Sequence, residues 1–167
     1  MSKKRKNRQK KRKRAEEELQ QHKDKNFELG KEILSYVVII ILAILLAAHL
    51  SVVVSGSMEP AFYRGDIVAT TNVNTYGIQE FNPHTDINVG DVVVYDAEWY
   101  EEPVIHRVID IQTINGTKYY TIKGDNNDEV DPYLVTPEQI RSKVIKLGDT
   151  LVIIPKLGYI TLLFRGL

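Results

Sequence analysis

A serine hydroxyl can attack a carbonyl if a base takes its proton and nearby donors hold the oxyanion that forms. The chain has no cysteine, which excludes a thiol protease, a disulfide scaffold and a thiolate metal site. Histidine is the usual base near neutral pH, and there are four: His22, His49, His84 and His106. His84 follows Pro83 in a polar stretch. Only His106 lies inside an apolar strand-like run, Val104-Ile105-His106-Arg107-Val108-Ile109, although a strand histidine taken alone is more often structural. Among the serines, Ser55 and Ser57 stand out because Gly56 between them lets the backbone approach a ligand. Asp125, after Gly124 at the end of a strand-like run, has the chemistry to orient a base, but ordinary turns share that pattern. Asp125, Asp128, Glu129 and Asp131 together suggest calcium. Their segment lacks the spacing and the flanking helices of an EF-hand, so neither a metal nor a cofactor is expected. No P-loop or dinucleotide fingerprint is present.

The elements that must position these residues fall into two unlike parts. The 167 residues carry a net charge of zero. Residues 1–32, however, hold 13 Lys/Arg against 6 Asp/Glu, a net of +7, and residues 33–167 hold 9 against 16, a net of −7. Lys3 to Arg14 alone contains ten basic residues. Like-charge blocks of this kind tend to be disordered, and residues 1–32 are expected to form a basic, largely disordered tail. No aromatic residue interleaves the run, so nucleic acid is not expected as a partner. Positions 33 to 58 contain no Lys, Arg, Asp or Glu across 26 residues, and crossing hydrocarbon as a helix takes roughly 20 apolar residues. The segment is too long, and its basic flank too extended, for a cleaved signal peptide. It is expected to be a single transmembrane signal-anchor helix over residues 33–51. The positive-inside rule puts the tail in the cytoplasm and residues 52–167 outside. The lipid bilayer is then a partner, His22 is cytoplasmic, and His49 lies at the membrane interface.

The outer 116 residues read as β-rich. Short runs at Asp66–Thr70, Asp91–Tyr95, Val104–Thr113, Lys118–Lys123 and Val144–Leu147 are bounded by Gly, Pro, Asn and Asp. Asn115-Gly116 between two of them is a two-residue hairpin signal. Val52–Val54 reads as a short strand leaving the membrane surface. Thr71–Gly90 reads as a long polar loop, Thr136–Ser142 as the one short helix with Pro137 at its first position, and Leu151–Leu167 as a strand pair or an edge dipped into lipid.

Taken together, these segments resemble the type I signal peptidases. Ser55-Gly56-Ser57-Met58-Glu59-Pro60 is similar to the nucleophile box of that family, and Arg64-Gly65-Asp66-Ile67-Val68 to the box that follows it. His106-Arg107-Val108 stands where one branch has Lys-Arg-Val. Lys123-Gly124-Asp125-Asn126-Asn127 with Asp131 resembles the last box. Histidine at position 106 points to the Ser–His branch of the endoplasmic reticulum and archaea, which some Gram-positive bacteria also carry. Ala61 departs from the threonine usual after the proline, and many archaeal-type members have a second membrane segment after the domain.

The resemblance implies a mainly β, signal-peptidase-like fold behind a single N-terminal transmembrane helix. It implies a membrane-bound serine endopeptidase that cuts signal peptides from preproteins after small residues, with the secretion translocon as a further candidate partner. Ser57 would be the nucleophile and His106 the base. Asp131 or Asp125 would orient the imidazole, with Asp131 preferred. The Ser57 N–H and the Ser55 hydroxyl would hold the oxyanion. Met58, Val53, Val54 and Ile105 would line pockets for small side chains. A catalytically inactive binding subunit of the same fold is the alternative, but it would be expected to lack Ser57 or His106.

Overall fold

The structure, a computed structural model, describes residues 3–160 and 163. The chain divides into two compact units, Met1–Leu46 and Ala47–Leu167. The described residues of the first all lie in helix α1, Lys3–Ala47, which is long and apolar enough to cross a membrane. Where charge repulsion argues for a disordered tail, the structure is helical from Lys3 onward. Between Lys3 and Glu32 there is no Pro and no β-branched residue, and Lys, Arg, Glu and Gln are good helix formers. Close-spaced contacts such as Lys31–Glu28 at 2.7 Å add a little more. The helix stops at Ala47, short of the expected residue 51.

Among its described residues the second unit has eleven strands: β1 Leu50–Val52, β2 Ile67–Asn72, β3 Asn74–Thr75, β4 Ile78–Gln79, β5 Val92–Tyr95, β6 Val104–Ile114, β7 Thr117–Lys123, β8 Ile140–Val144, β9 Lys146–Leu147, β10 Thr150–Leu151 and β11 Ile153–Ile154. Seven form one sheet in the order β1-β2-β8-β5-β6-β7, with β11 also on β2, and every pairing is antiparallel. Strand β2 serves two neighbourhoods. Its first half pairs with β1 and β11, and its second half with β8. Ile114 pairs with Thr117 across a loop of Asn115 and Gly116, whose φ angles of 52° and 83° are those of a tight hairpin turn. An extra residue, Ile109, bulges from β6 where the register shifts between Val108 and Asp110.

Side-chain alternation gives the sheet two buried faces. Val93, Tyr95, Val104, Val108, Tyr120 and Ile122 belong to the larger core. Val92, Val68 and Val144 join Val53, Met58 and Phe62 in the smaller one, and Ala61 packs against it.

Several expectations change. The Thr136–Ser142 segment is not a helix: a single 3₁₀ turn, Pro137–Gln139, leads directly into β8. Ile140, Ser142 and Val144 are buried at every second position, a strand period, and β8 fills the gap between β2 and β5. The Thr71–Gly90 loop contains the end of β2 and the β3–β4 ribbon, which turns at Tyr76 and Gly77. The strand after the helix begins at Leu50, two residues before Val52. In the C-terminal stretch, β10 and β11 are followed by a helical turn at Tyr159–Ile160, and residues 161, 162 and 164–167 of that expectation lie outside the described residues.

Candidate active site

Ser57 sits in a turn after Val53 and Val54. The turn is held by Glu59 N–H donating to Gly56 O and Phe62 N–H donating to Met58 O. Met58 and Phe62 are each 1% exposed, so the turn is pinned by its own apolar side chains while Ser55 stays exposed and Ser57 half-buried. His106 lies on β6 opposite Val93 of β5, on the face of the larger core. Its Nε2 is 3.0 Å from Ser57 Oγ. Its Nδ1 is 2.7 Å from Asp131 Oδ2 and 2.9 Å from Oδ1. Asp131 is placed by its own N–H, which donates to Ile122 O near the end of β7 at 2.9 Å. A carboxylate only accepts, so Nδ1 carries the proton of the neutral ring and Nε2 is free to accept one from Ser57. This chain of groups can pass a proton from a serine hydroxyl to an imidazole.

Asp125 is elsewhere. Its carboxylate takes a two-pronged contact from Arg107, Nε at 2.8 Å and Nη2 at 2.6 Å, and makes none with His106. Arg107 follows His106 on the strand and therefore faces the other side of the sheet. The pair raises the affinity of the Arg107 guanidinium for its proton, first through the hydrogen bonds to Asp125. The rest of that loop touches Ser57. Asn126 N–H donates to Ser57 O at 2.8 Å, and Asn126 Nδ2 donates to Gly56 O at 3.1 Å. Gly124 permits this approach, since a Cβ there would lie 2.7 Å from Ser57 O.

Ser55 Oγ is 3.1 Å from Ser57 Oγ, and the Ser57 N–H donates to no oxygen among the described residues. The four expected pocket residues do not form one exposed surface. Val53 and Met58 are each 1% exposed, inside the smaller core. Ile105 packs against that core on the face opposite His106, and Val54 alone is well exposed. Alternation along the extended chain is the reason: Val53 turns in, so Val54 turns out. His49 Nε2 is 2.7 Å from Glu80, and His84 is 3.5 Å from Glu138. Among the described residues no group of three or more His, Asp or Glu is arranged to hold a metal.

Sequence reasoning missed Tyr95. Its hydroxyl donates to Asp131 Oδ2 at 2.6 Å, and burial, followed by the hydrogen bond to Asp131, pushes the phenol far up. It therefore remains a donor. A signal was available: Tyr95 ends an apolar strand run, and a buried phenol needs a partner.

A sequence model of the family described as signal peptidase, peptidase S26, matches residues 26–128. That stretch includes Ser57, His106 and Asp125 and ends three residues before Asp131. The chain is 32% identical to an uncharacterized protein of Methanocaldococcus jannaschii, over 71% of this chain and 84% of that one. It is 41% identical to the signal peptidase complex catalytic subunit SEC11 of Saccharomyces cerevisiae strain YJM789, over 70% of this chain and 65% of the yeast protein, and SEC11 of strain RM11-1a gives the same figures. With the family match covering more than half its length, over a mainly antiparallel β unit behind an apolar helix, the chain belongs to the signal peptidase family, peptidase S26.

Proposed function

We propose that this protein is a membrane-anchored serine endopeptidase that removes signal peptides from secreted preproteins, cutting after small residues at the outer surface of the membrane. The observation that carries the reading is the unbroken line of contacts from Ser57 Oγ through both nitrogens of His106 to Asp131, at 3.0 and 2.7 Å. In the reaction, Ser57 Oγ attacks the scissile carbonyl as His106 Nε2 takes its proton. Asp131 holds the Nδ1–H and stabilises the imidazolium that forms. The Ser57 N–H and the Ser55 hydroxyl bind the oxyanion. The C–N bond breaks as His106 returns the proton to the leaving amine. Water, activated by the same imidazole, then frees the acyl group from Ser57. The basic tail faces the cytoplasm, the apolar stretch after it crosses the bilayer once, and the β unit works outside. The test is cleavage of a model preprotein in membranes. Ser57→Ala should abolish it, while Ser55→Ala should slow it by about 10²–10³, the usual effect of losing one oxyanion donor. An active Ser57→Ala enzyme would overturn the assignment.

A further inference from the structure

Asp131 is gripped from two sides. Its Oδ2 accepts the Tyr95 hydroxyl at 2.6 Å and faces His106 Nδ1 at 2.7 Å. Tyr95, His106 and Asp131 are 1%, 3% and 7% exposed. A carboxylate at such depth keeps its charge only when its oxygens are hydrogen-bonded. One of its two side-chain donors, the imidazole, changes charge during the reaction, and the other, the phenol, does not. Tyr95 reaches it along the sheet: it pairs with Val104, two residues before His106 and on the same face. The phenol therefore meets the carboxylate without competing for Ser57 or for Nε2.

We propose that Tyr95 is a positioning residue for the His106–Asp131 pair. Its hydroxyl fixes the carboxylate against Nδ1, which holds the imidazole with Nε2 toward Ser57. This role rests on the serine mechanism proposed above. Removing the phenol oxygen leaves the imidazole as the only side-chain donor to this buried carboxylate among the described residues. The pair then binds a proton more readily, whichever atom takes it. Other ionisable groups nearby do not replace Tyr95. Arg107 is engaged by Asp125 on the opposite face, and Lys123 lies across from Arg107 in the register. Asp128 and Glu129 are exposed. Ser57 occupies the remaining side of the imidazole.

The test uses the full chain in membranes with a model preprotein, following kcat and KM against pH. Tyr95→Phe should lower kcat at neutral pH by about ten- to a hundredfold, as expected for losing a hydrogen bond to a charged group. KM should be unchanged. The acid limb of the profile should move to higher pH, so that raising the pH recovers part of the loss. In an Asp131→Asn background the same change should cost little more, since Tyr95 acts through that carboxylate. Substituting 3-fluorotyrosine at position 95 strengthens the donor and should move the acid limb the other way, and it carries the test if Tyr95→Phe fails to fold by circular dichroism. A kcat loss uniform across pH and additive with Asp131→Asn would overturn the proposal and leave Tyr95 as a core side chain. Ser57→Ala in the same assay separates the two failures. If it is inactive while Tyr95 variants show no pH shift, only the Tyr95 role falls. If it is active, the serine mechanism falls and this role with it.

Discussion

Asp125 and Asp131 are six residues apart and chemically identical, and what separates them is the partner each already holds. Asp131 is bonded to an imidazole and a phenol in a buried site, and Asp125 to a guanidinium with about a fifth of its side chain exposed. Asp131→Asn should therefore act on the tautomer and orientation of His106. By analogy with the serine triad, kcat should fall by about 10⁴ with the fold intact by circular dichroism. Asp125→Asn should act mainly on stability, costing about 1–3 kcal/mol for the hydrogen bonds to a charged group, with a smaller effect on rate through the loop that holds Ser57. Measuring kcat and thermal unfolding for both variants checks this. The assignment of the two acids would be wrong if Asp125→Asn were the slower enzyme.

At the level of elements, Ser57, the proposed nucleophile, is held by the loop after β7 as much as by its own turn. Asn126 bonds the carbonyls of Ser57 and Gly56, and Gly124 lies so close that an added methyl would come within 2.7 Å of Ser57 O. Gly124→Ala must then push the loop or the serine aside. A shift of 1 Å at a reacting atom can cost about 10²-fold in rate, so a fall in kcat of at least about tenfold is expected. Gly30→Ala on α1, where nothing lies within 4 Å, should leave the rate unchanged. Equal rates for the two variants would mean that the loop does not position Ser57. Strand β8 carries a different lesson. Thr136-Pro137 is a sound helix start, but Ile140, Ser142 and Val144 fit between β2 and β5, and pairing on both edges outweighs the local preference.

For the molecule as a whole, two buried tyrosines are expected to contribute to a loss of stability at alkaline pH. Burial is the main cause that raises the phenols of Tyr95 and Tyr120. A phenol raised in the folded state keeps its proton where the unfolded chain has lost it. Stability is therefore full below the ordinary tyrosine value of about 10 and declines as pH rises beyond it. Chemical denaturation from pH 8 to 11 should show this decline, and Tyr95→Phe should flatten it. A wild-type curve with no decline would contradict this. Topology is tested on the same scale. The +7 segment ahead of the apolar run predicts that protease added outside intact cells digests the β unit and spares a tagged tail. Protection of residues 60–167 would reverse the orientation.

The sequence by itself determined what depends on near neighbours: the uncharged run of 26 residues, the Asn115-Gly116 turn and the strand character of the runs Asp91–Tyr95 and Val104–Thr113. The motif order also placed Ser57, His106 and the two acids within one family. Tertiary structure decided what depends on distant partners. His106 meets a serine 49 residues before it and an aspartate 25 residues after it. That Asp131 rather than Asp125 contacts His106 turns on where β7 ends, because the Ile122 carbonyl fixes the Asp131 backbone. Met58 and Val53 are buried in one cluster with Phe62, Val68 and Val144, which come from other parts of the chain. Tyr95 acquired its role from a strand register that sets it across from Val104. These are contacts between segments far apart in the chain, and no local pattern records which partner will arrive.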